Sequence, residues 1–153
     1  MQFKPSEVST MPAGEYFICD PCYVIPDVDW DRFCQEVPED TVGTFTLSSG
    51  EEILVWYNST MYGDGTYTAN SYFGTFEVNV DSGAIGAIQK FGNDKDHEDI
   101  LVTQLKRKFS VSVDEYTGMF SIGPWDIATG DPEFELEEWS WGGDVDDENE
   151  IDD

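Results

Sequence analysis

Short apolar runs separated by turn-forming residues constrain the fold of this chain more than any other feature. Residues 72–80 alternate apolar with polar side chains, and residues 44–47 and 53–57 flank a Ser-Gly-Glu turn. Residues 106–113 and 118–122 form a second pair of this kind. Period-two alternation indicates strands, and the intervening Gly and Asp indicate turns. We therefore predict a mainly β, antiparallel domain, folded as a sandwich or a curved sheet.

One segment follows a helical period instead. Asp27 or Asp29 could cap its start, and Pro38 ends the pattern. We predict one short helix here, and a second would fit the same fold class. The apolar residues that recur at helical spacing are Trp30, Phe33, Cys34 and Val37.

The charge divides the chain into two parts. Asp and Glu number 33 against seven Lys and Arg, so the net charge is −26, although 39% of residues are hydrophobic. Residues 131–153 contain 12 acidic residues and no basic residue. We predict a β-rich globular domain over residues 1–130 and an acidic C-terminal arm and tail over residues 131–153.

The same charge limits the partners. Binding to phosphates requires Lys and Arg that displace counterions, so we expect no direct nucleic-acid ligand and no membrane surface. No apolar run reaches the roughly 18 residues of a membrane span, and residues 1–5 show no apolar leader. We expect a cytoplasmic protein, either a monomer or a homodimer.

The three cysteines favour a structural role. Their odd number argues against a complete disulfide framework. Cys19 and Cys22 have C-x-x-C spacing, but a zinc site needs further ligands, and the candidates are Cys34 and His97. Residues 21–25 read as a strand, whereas a thioredoxin-like motif should open a helix. We predict buried structural cysteines, with a zinc site as the alternative.

Three aspartates occur at turns beside apolar strands, namely Asp20, Asp64 and Asp81. Converging carboxylates could bind a divalent cation, but Asp-Pro and Asp-Gly are also ordinary turn formers. We predict turns and no cofactor, and keep the divalent cation as the alternative. Residues 93–99 lack the central Gly and distal Glu of a calcium loop and indicate a solvated loop.

Known catalytic patterns are missing from the sequence. It contains no Gly-x-Ser-x-Gly elbow, Walker lysine, H-E-x-x-H or dinucleotide fingerprint. His97 alone lacks a nucleophile and an orienting partner. We assign no catalytic residue and favour a non-enzymatic protein, with a small hydrolase built on the Asp-rich metal site as the alternative.

Three segments in order carry a resemblance. Residues 14–24 read Gly-Glu-Tyr-Phe-Ile-Cys-Asp-Pro-Cys-Tyr-Val, residues 62–67 read Tyr-Gly-Asp-Gly-Thr-Tyr, and residues 80–86 read Val-Asp-Ser-Gly-Ala-Ile-Gly. This order resembles a group of small uncharacterised proteins of bacteriophages and bacteria, in which Gly takes the place of Cys19. The resemblance covers about residues 14–88 and implies a phage context, and hence the host cytoplasm, without a mechanism.

The charge density suggests mimicry of nucleic acid. Duplex DNA carries one charge per roughly 1.7 Å of axis, so 26 charges correspond to about 44 Å of duplex. A domain of this length is about 40 Å across. We predict an acidic inhibitor that blocks a basic nucleic-acid-binding host protein of defence, restriction or transcription. An acidic structural or halophilic protein without mimicry is a further alternative.

The predicted partner-binding residues lie mainly in the arm, where each carboxylate would replace a phosphate. Trp139 and Trp141 would add apolar anchoring, and Asp27, Asp29 and Asp31 would extend the surface. The acids of the arm are Glu133, Glu135, Glu137, Glu138, Asp144, Asp146, Asp147 and Glu148.

Overall fold

The computed structural model describes residues 3–91 and 100–130, and these form two sheets and one α-helix. The acidic arm and the region around His97 lie outside these residues. In chain order the elements are β1 (Phe3–Pro5), β2 (Thr10–Met11), β3 (Gly14–Cys19), a 3-10 helix (Pro21–Tyr23), α1 (Asp27–Glu36), β4 (Gly43–Thr46), β5 (Glu52–Ser59), β6 (Gly65–Ser71), β7 (Gly74–Val80), β8 (Ala84–Gln89), β9 (Leu101–Leu105), β10 (Phe109–Asp114), β11 (Met119–Ile122) and β12 (Trp125–Ala128).

Both sheets have six strands, and their neighbouring strands pair antiparallel. Sheet 1 has the order β1-β4-β5-β8-β3-β9, and sheet 2 has the order β2-β10-β11-β12-β6-β7. Each sheet contains strands from both halves of the described chain. The prediction of a mainly β, antiparallel fold is confirmed.

The main core lies between the two sheets. Sheet 1 contributes Tyr16, Ile18 and Trp56, and sheet 2 contributes Phe120 and Ile127, all fully buried. The Trp56 and Phe120 rings meet edge to face with centroids 5.9 Å apart. Burial of side chains of this size is the main stabilising contribution, about 1.5–3 kcal/mol for each large apolar side chain.

Helix α1 covers the other face of sheet 1. Phe33 of α1 packs in a second core with Phe17, Phe45 and Ile88, and its ring contacts Phe45 edge to face at 5.4 Å. Sheet 1 is therefore buried on both faces. This explains why β3 ends in four consecutive buried residues rather than alternating.

Local chemistry changed two predicted elements. Residues 21–23, predicted as strand, form the 3-10 helix because Pro21 fixes its first position and the Asp20 carboxylate accepts the Cys22 N–H. Helix α1 is confirmed, but its N-cap residue is Pro26, so the prediction of an aspartate cap is wrong. The described part of the chain has no helix that is long and apolar enough to span a membrane.

Candidate functional site

The first and third sequence motifs meet at one point, which we call the turn junction (Asp20, Tyr23, Asp81 and Ser82). Asp20 follows β3, and the Asp81–Gly83 turn leads into β8, which pairs with β3. Asp20 Oδ2 accepts the Asp81 and Ser82 N–H groups at 2.8 and 2.6 Å. Asp20 Oδ1 accepts the Cys22 N–H at 3.0 Å and the Ser82 hydroxyl at 2.5 Å. One fully buried carboxylate therefore fixes two turns about 60 residues apart in sequence.

Asp64 of the second motif lies beside Gly83, in the turn that adjoins the junction. A methyl group built on Gly83 would lie 3.7 Å from Asp64 Oδ1, and the Thr60 N–H donates to the Gly83 carbonyl at 2.9 Å. Gly83 has φ of +76°, which suits glycine in this tight turn. The three motifs thus converge, although they are separate in the sequence.

Tyr23 and Asp81 complete the turn junction. The Tyr23 hydroxyl donates to Asp81 Oδ2. Burial and this hydrogen bond to Asp81 raise the pKa of the Tyr23 phenol well above its usual range. The phenol therefore stays protonated and keeps donating to Asp81 at neutral pH.

The hydrogen bonds of Asp20 occupy the oxygens that would bind a divalent cation in the alternative interpretation of the three aspartates. Both of its oxygens already accept two donors each, so the carboxylate serves as a structural acceptor. Over residues 3–91 and 100–130, no group of three or more His, Cys, Asp or Glu side chains is arranged to hold a metal ion.

The three cysteines form no disulfide with one another and lie in different environments. Cys19 is buried, Cys22 is half-buried and Cys34 is exposed, so the prediction of buried cysteines is confirmed for Cys19 and is wrong for Cys22 and Cys34. Burial, followed by the nearby Asp20 charge, raises the pKa of the Cys19 thiol well above its usual range. Partial desolvation against the neighbouring residues, followed by the Asp31 charge, also raises the pKa of the Cys34 thiol. Thiolates are the reactive form, so these two thiols are weak nucleophiles at neutral pH.

A cleft opens between α1 and sheet 1 beside the turn junction, and we call it the α1 cleft. Its volume is about 370 Å³, and its lining includes Trp30, Cys34, Glu39, Tyr57 and Ser82. Glu39 Oε1 accepts the Ser59 N–H at 2.9 Å and the Ser59 hydroxyl at 2.5 Å, which holds the carboxylate at the cleft. A fixed carboxylate beside aromatic rings suits a cationic side chain.

The structure separates the three acids predicted on α1. Asp29 is 1% exposed, and its Oδ1 accepts Arg32 Nη2 at 2.5 Å and the Ser48 N–H at 2.9 Å. The prediction that Asp29 contributes to a partner-binding surface is therefore wrong, because its carboxylate is buried and bound within the chain. Asp27 and Asp31 are exposed and lie one helical turn apart on the same face.

The remaining acids of the described chain are largely at the surface. Of the 33 acids, 12 lie in residues 131–153 and four in residues 92–99, so 17 are described, and two of these 17, Asp20 and Asp29, are buried. Two ion pairs join described residues, Arg32 with Asp29 and Lys90 with Glu15, the latter at 3.9 Å. The predicted partner-binding acids of the arm, and Trp139 and Trp141, lie outside the described residues.

Sequence reasoning missed a second surface, which we call the basic groove. It is a cavity of about 630 Å³ whose lining includes Tyr72, Phe73, Lys106, Arg107 and Lys108. The signal was present, since Lys106–Lys108 is the longest run of cations in an acidic chain. The sequence pattern predicts that this run starts a strand over residues 106–113, whereas β10 begins at Phe109.

Comparison with known proteins does not identify the chain. No family model, curated protein or solved structure matched the chain. The resemblance to small phage and bacterial proteins therefore stays a prediction, and the function has to follow from the residues of this chain.

Proposed function

We propose that this protein binds a basic, nucleic-acid-binding protein and occupies the surface that would otherwise hold phosphates. The observation that carries the proposal is the excess of acids over cations among the described residues, since all but two of those acids lie outside the core. Against 17 described acids, the described residues contain six Lys and Arg, a net charge of −11, and residues 131–153 add −12. A target in phage defence, restriction or transcription fits the resemblance to phage proteins.

The physical basis is electrostatic steering. Carboxylates held on a rigid β scaffold produce a negative field that raises the association rate with a basic groove, and this rate falls as salt increases. The scaffold also reduces the entropy cost of binding, because the folded backbone already holds the exposed acids of the described residues in position. Self-repulsion among these acids costs stability, and the two extensive cores offset that cost.

The α1 cleft supplies the specific contact in this proposal. Glu39 lies in the cleft, and Asp27 and Asp31 are exposed on the helix that forms its wall. A Lys or Arg side chain of the partner would enter between Trp30 and Tyr57 and reach the Glu39 carboxylate. Charge-assisted hydrogen bonds of this kind are roughly twice as strong as neutral ones.

The first test identifies the partner. The protein is used to capture binding proteins from bacterial lysate at about 0.1 M salt, a range in which exposed charges still interact over about 10 Å. Bound proteins are eluted with salt and identified by mass spectrometry. One stoichiometric DNA-binding protein supports the proposal, whereas a broad mixture of ribosomal and histone-like proteins would show only a general polyanion.

The second test compares two triple variants that remove the same charge. Asp27→Asn, Asp31→Asn and Glu39→Gln alter the α1 side. Glu77→Gln and Asp126→Asn alter exposed acids of sheet 2, and Glu115→Gln alters an exposed acid in its β10–β11 turn. We expect the α1 variant to weaken binding at least tenfold and to make the affinity less dependent on salt. Equal losses in both variants would contradict a specific site at α1.

A further inference from the structure

The basic groove differs from the rest of the surface in both charge and polarity. Lys106, Arg107 and Lys108 connect β9 to β10 and account for three of the six described cations. Tyr72 and Phe73 form the tip of the β6–β7 hairpin at the same groove, 86% and 62% exposed. None of the described residues that line the groove is acidic.

Tyr72 and Phe73 together expose an apolar surface that a binding partner or another segment could cover. The ring centroids of Tyr72 and Phe73 lie 4.2 Å apart, so they form one apolar platform beside the three cations. Exposed apolar patches that are rimmed by polar or charged residues often mark binding sites. The matching ligand is acidic and aromatic.

We propose that residues 137–148 of the same chain bind in the basic groove. This segment contains Trp139 and Trp141, six acidic residues and no basic residue. Its indole rings would pack on Tyr72 and Phe73, and its carboxylates would pair with Lys106, Arg107 and Lys108. Each of these is a favourable contact, through aromatic packing and through cation–π or charge-assisted interactions.

The length of the chain sets which residues can reach the groove. Pro124 lines the groove, and Gly130, the last described residue, is six residues further along. Because a chain extends at most about 3.6 Å per residue, Gly130 lies no more than roughly 22 Å from Pro124. About six further residues cover the same distance back. Residues from about Glu137 onward are therefore able to reach the groove.

While residues 137–148 occupy the groove, their carboxylates face the cations of their own chain. The inference does not depend on the proposed function, because it concerns a contact within one chain.

The test uses the complete chain and a carbodiimide, which joins a lysine amine directly to a neighbouring carboxylate. Lys90 and Glu15, 3.9 Å apart, provide an internal reference for the coupling. An equal mixture of unlabelled and ¹⁵N-labelled protein distinguishes links within one molecule from links between two copies. We expect Lys106 and Lys108 to link to carboxylates of residues 137–148 within one molecule.

Two variants sharpen the result without changing any reactive group. Tyr72→Ser with Phe73→Ser removes the aromatic platform, and we expect at least a fivefold loss of the links from Lys106 and Lys108. Tyr116→Ser removes an aromatic residue that is 91% exposed in the β10–β11 turn, and it should leave the yield unchanged.

Several results would overturn the inference. One is a normal Lys90–Glu15 link without links from Lys106 or Lys108 to residues 137–148. Another is links of mixed isotope composition, which would mean that a second copy fills the groove. A third is an unchanged yield of links from Lys106 and Lys108 in the Tyr72 and Phe73 variant. That result would mean that charge attraction alone brings the segment to the groove and that the tryptophans do not pack on the two rings.

Discussion

Asp20 and Asp29 are both buried carboxylates in a chain whose described acids are mostly exposed, yet they are stabilised differently. Asp20 accepts three backbone N–H groups and one hydroxyl, all neutral donors. Asp29 accepts Arg32 together with the N–H and hydroxyl of Ser48. A buried charge needs hydrogen bonds or a counterion, and this protein uses one solution at each position.

The difference follows from what each aspartate connects. Asp20 joins two turns, where several N–H groups point away from the strands and need acceptors. Asp29 joins the first turn of α1 to Ser48, between β4 and β5, and the guanidinium of Arg32 also donates to the Thr46 carbonyl at 2.9 Å. Both aspartates hold elements that line the α1 cleft, because the turn junction contributes Ser82 and α1 contributes Trp30.

The largest expected effect is at the turn junction. Asp20→Asn replaces one accepting oxygen with a donor that faces N–H groups, so at least one donor loses its partner. We expect a loss of about 3 kcal/mol in the free energy of unfolding, since each unsatisfied buried donor costs about 1–3 kcal/mol. Urea denaturation measures this loss. It should not depend on salt, because the groups that donate to Asp20 are neutral.

Asp81→Asn is the matched control in the same junction. Its carboxylate is exposed and accepts the Tyr23 hydroxyl, so we expect a loss of less than about 1 kcal/mol. Similar losses in the two variants would show that the Asp20 carboxylate has no special part in holding the turns.

The effect at Asp29 should be smaller and should depend on salt. Asp29→Asn keeps an oxygen that can accept from Ser48 but removes the charge that attracts Arg32. We expect a loss of about 1–2 kcal/mol, measured by urea denaturation at about 0.05 M and 0.5 M salt. The loss should shrink at the higher salt, because the Arg32 side chain is 27% exposed and therefore screened. A loss that is equal at both salt concentrations would remove the contrast with Asp20.

Much of the fold could be predicted from local pattern, because strands and turns leave periodic signals. The β4–β5 and β10–β11 hairpins and α1 follow directly from them. The short strands β1, β2 and β12 could not be predicted, since each is defined mainly by its pairing with a partner strand. The alternating pattern predicts Tyr72 and Phe73 in a strand, but they lie in the hairpin turn before β7.

The site was less predictable, because it depends on distant contacts. Asp20 and Asp81 were both identified, but the hydrogen bonds that join them cross about 60 residues. The burial of Asp29 had a local signal, since Asp29 lies four residues before the buried Phe33 and therefore on the same helix face. Asp27 and Asp31 lie off that face, which agrees with their exposure.

The smallest expected effect is at Tyr23, and it depends on pH. Tyr23→Phe removes the hydroxyl that donates to Asp81, and we expect a loss of about 0.5–1 kcal/mol at neutral pH. Burial and Asp81 raise the folded-state pKa of this phenol above the unfolded value of about 10. The stability that it contributes is complete below about pH 10 and is lost as the pH rises through the folded pKa. The gap between the natural protein and Tyr23→Phe should therefore narrow above pH 10 in urea denaturation, whereas Tyr116→Phe, in an exposed turn, should match the natural protein throughout. A gap that widens above pH 10 would mean that the phenolate, rather than the phenol, is the form stabilised beside Asp81.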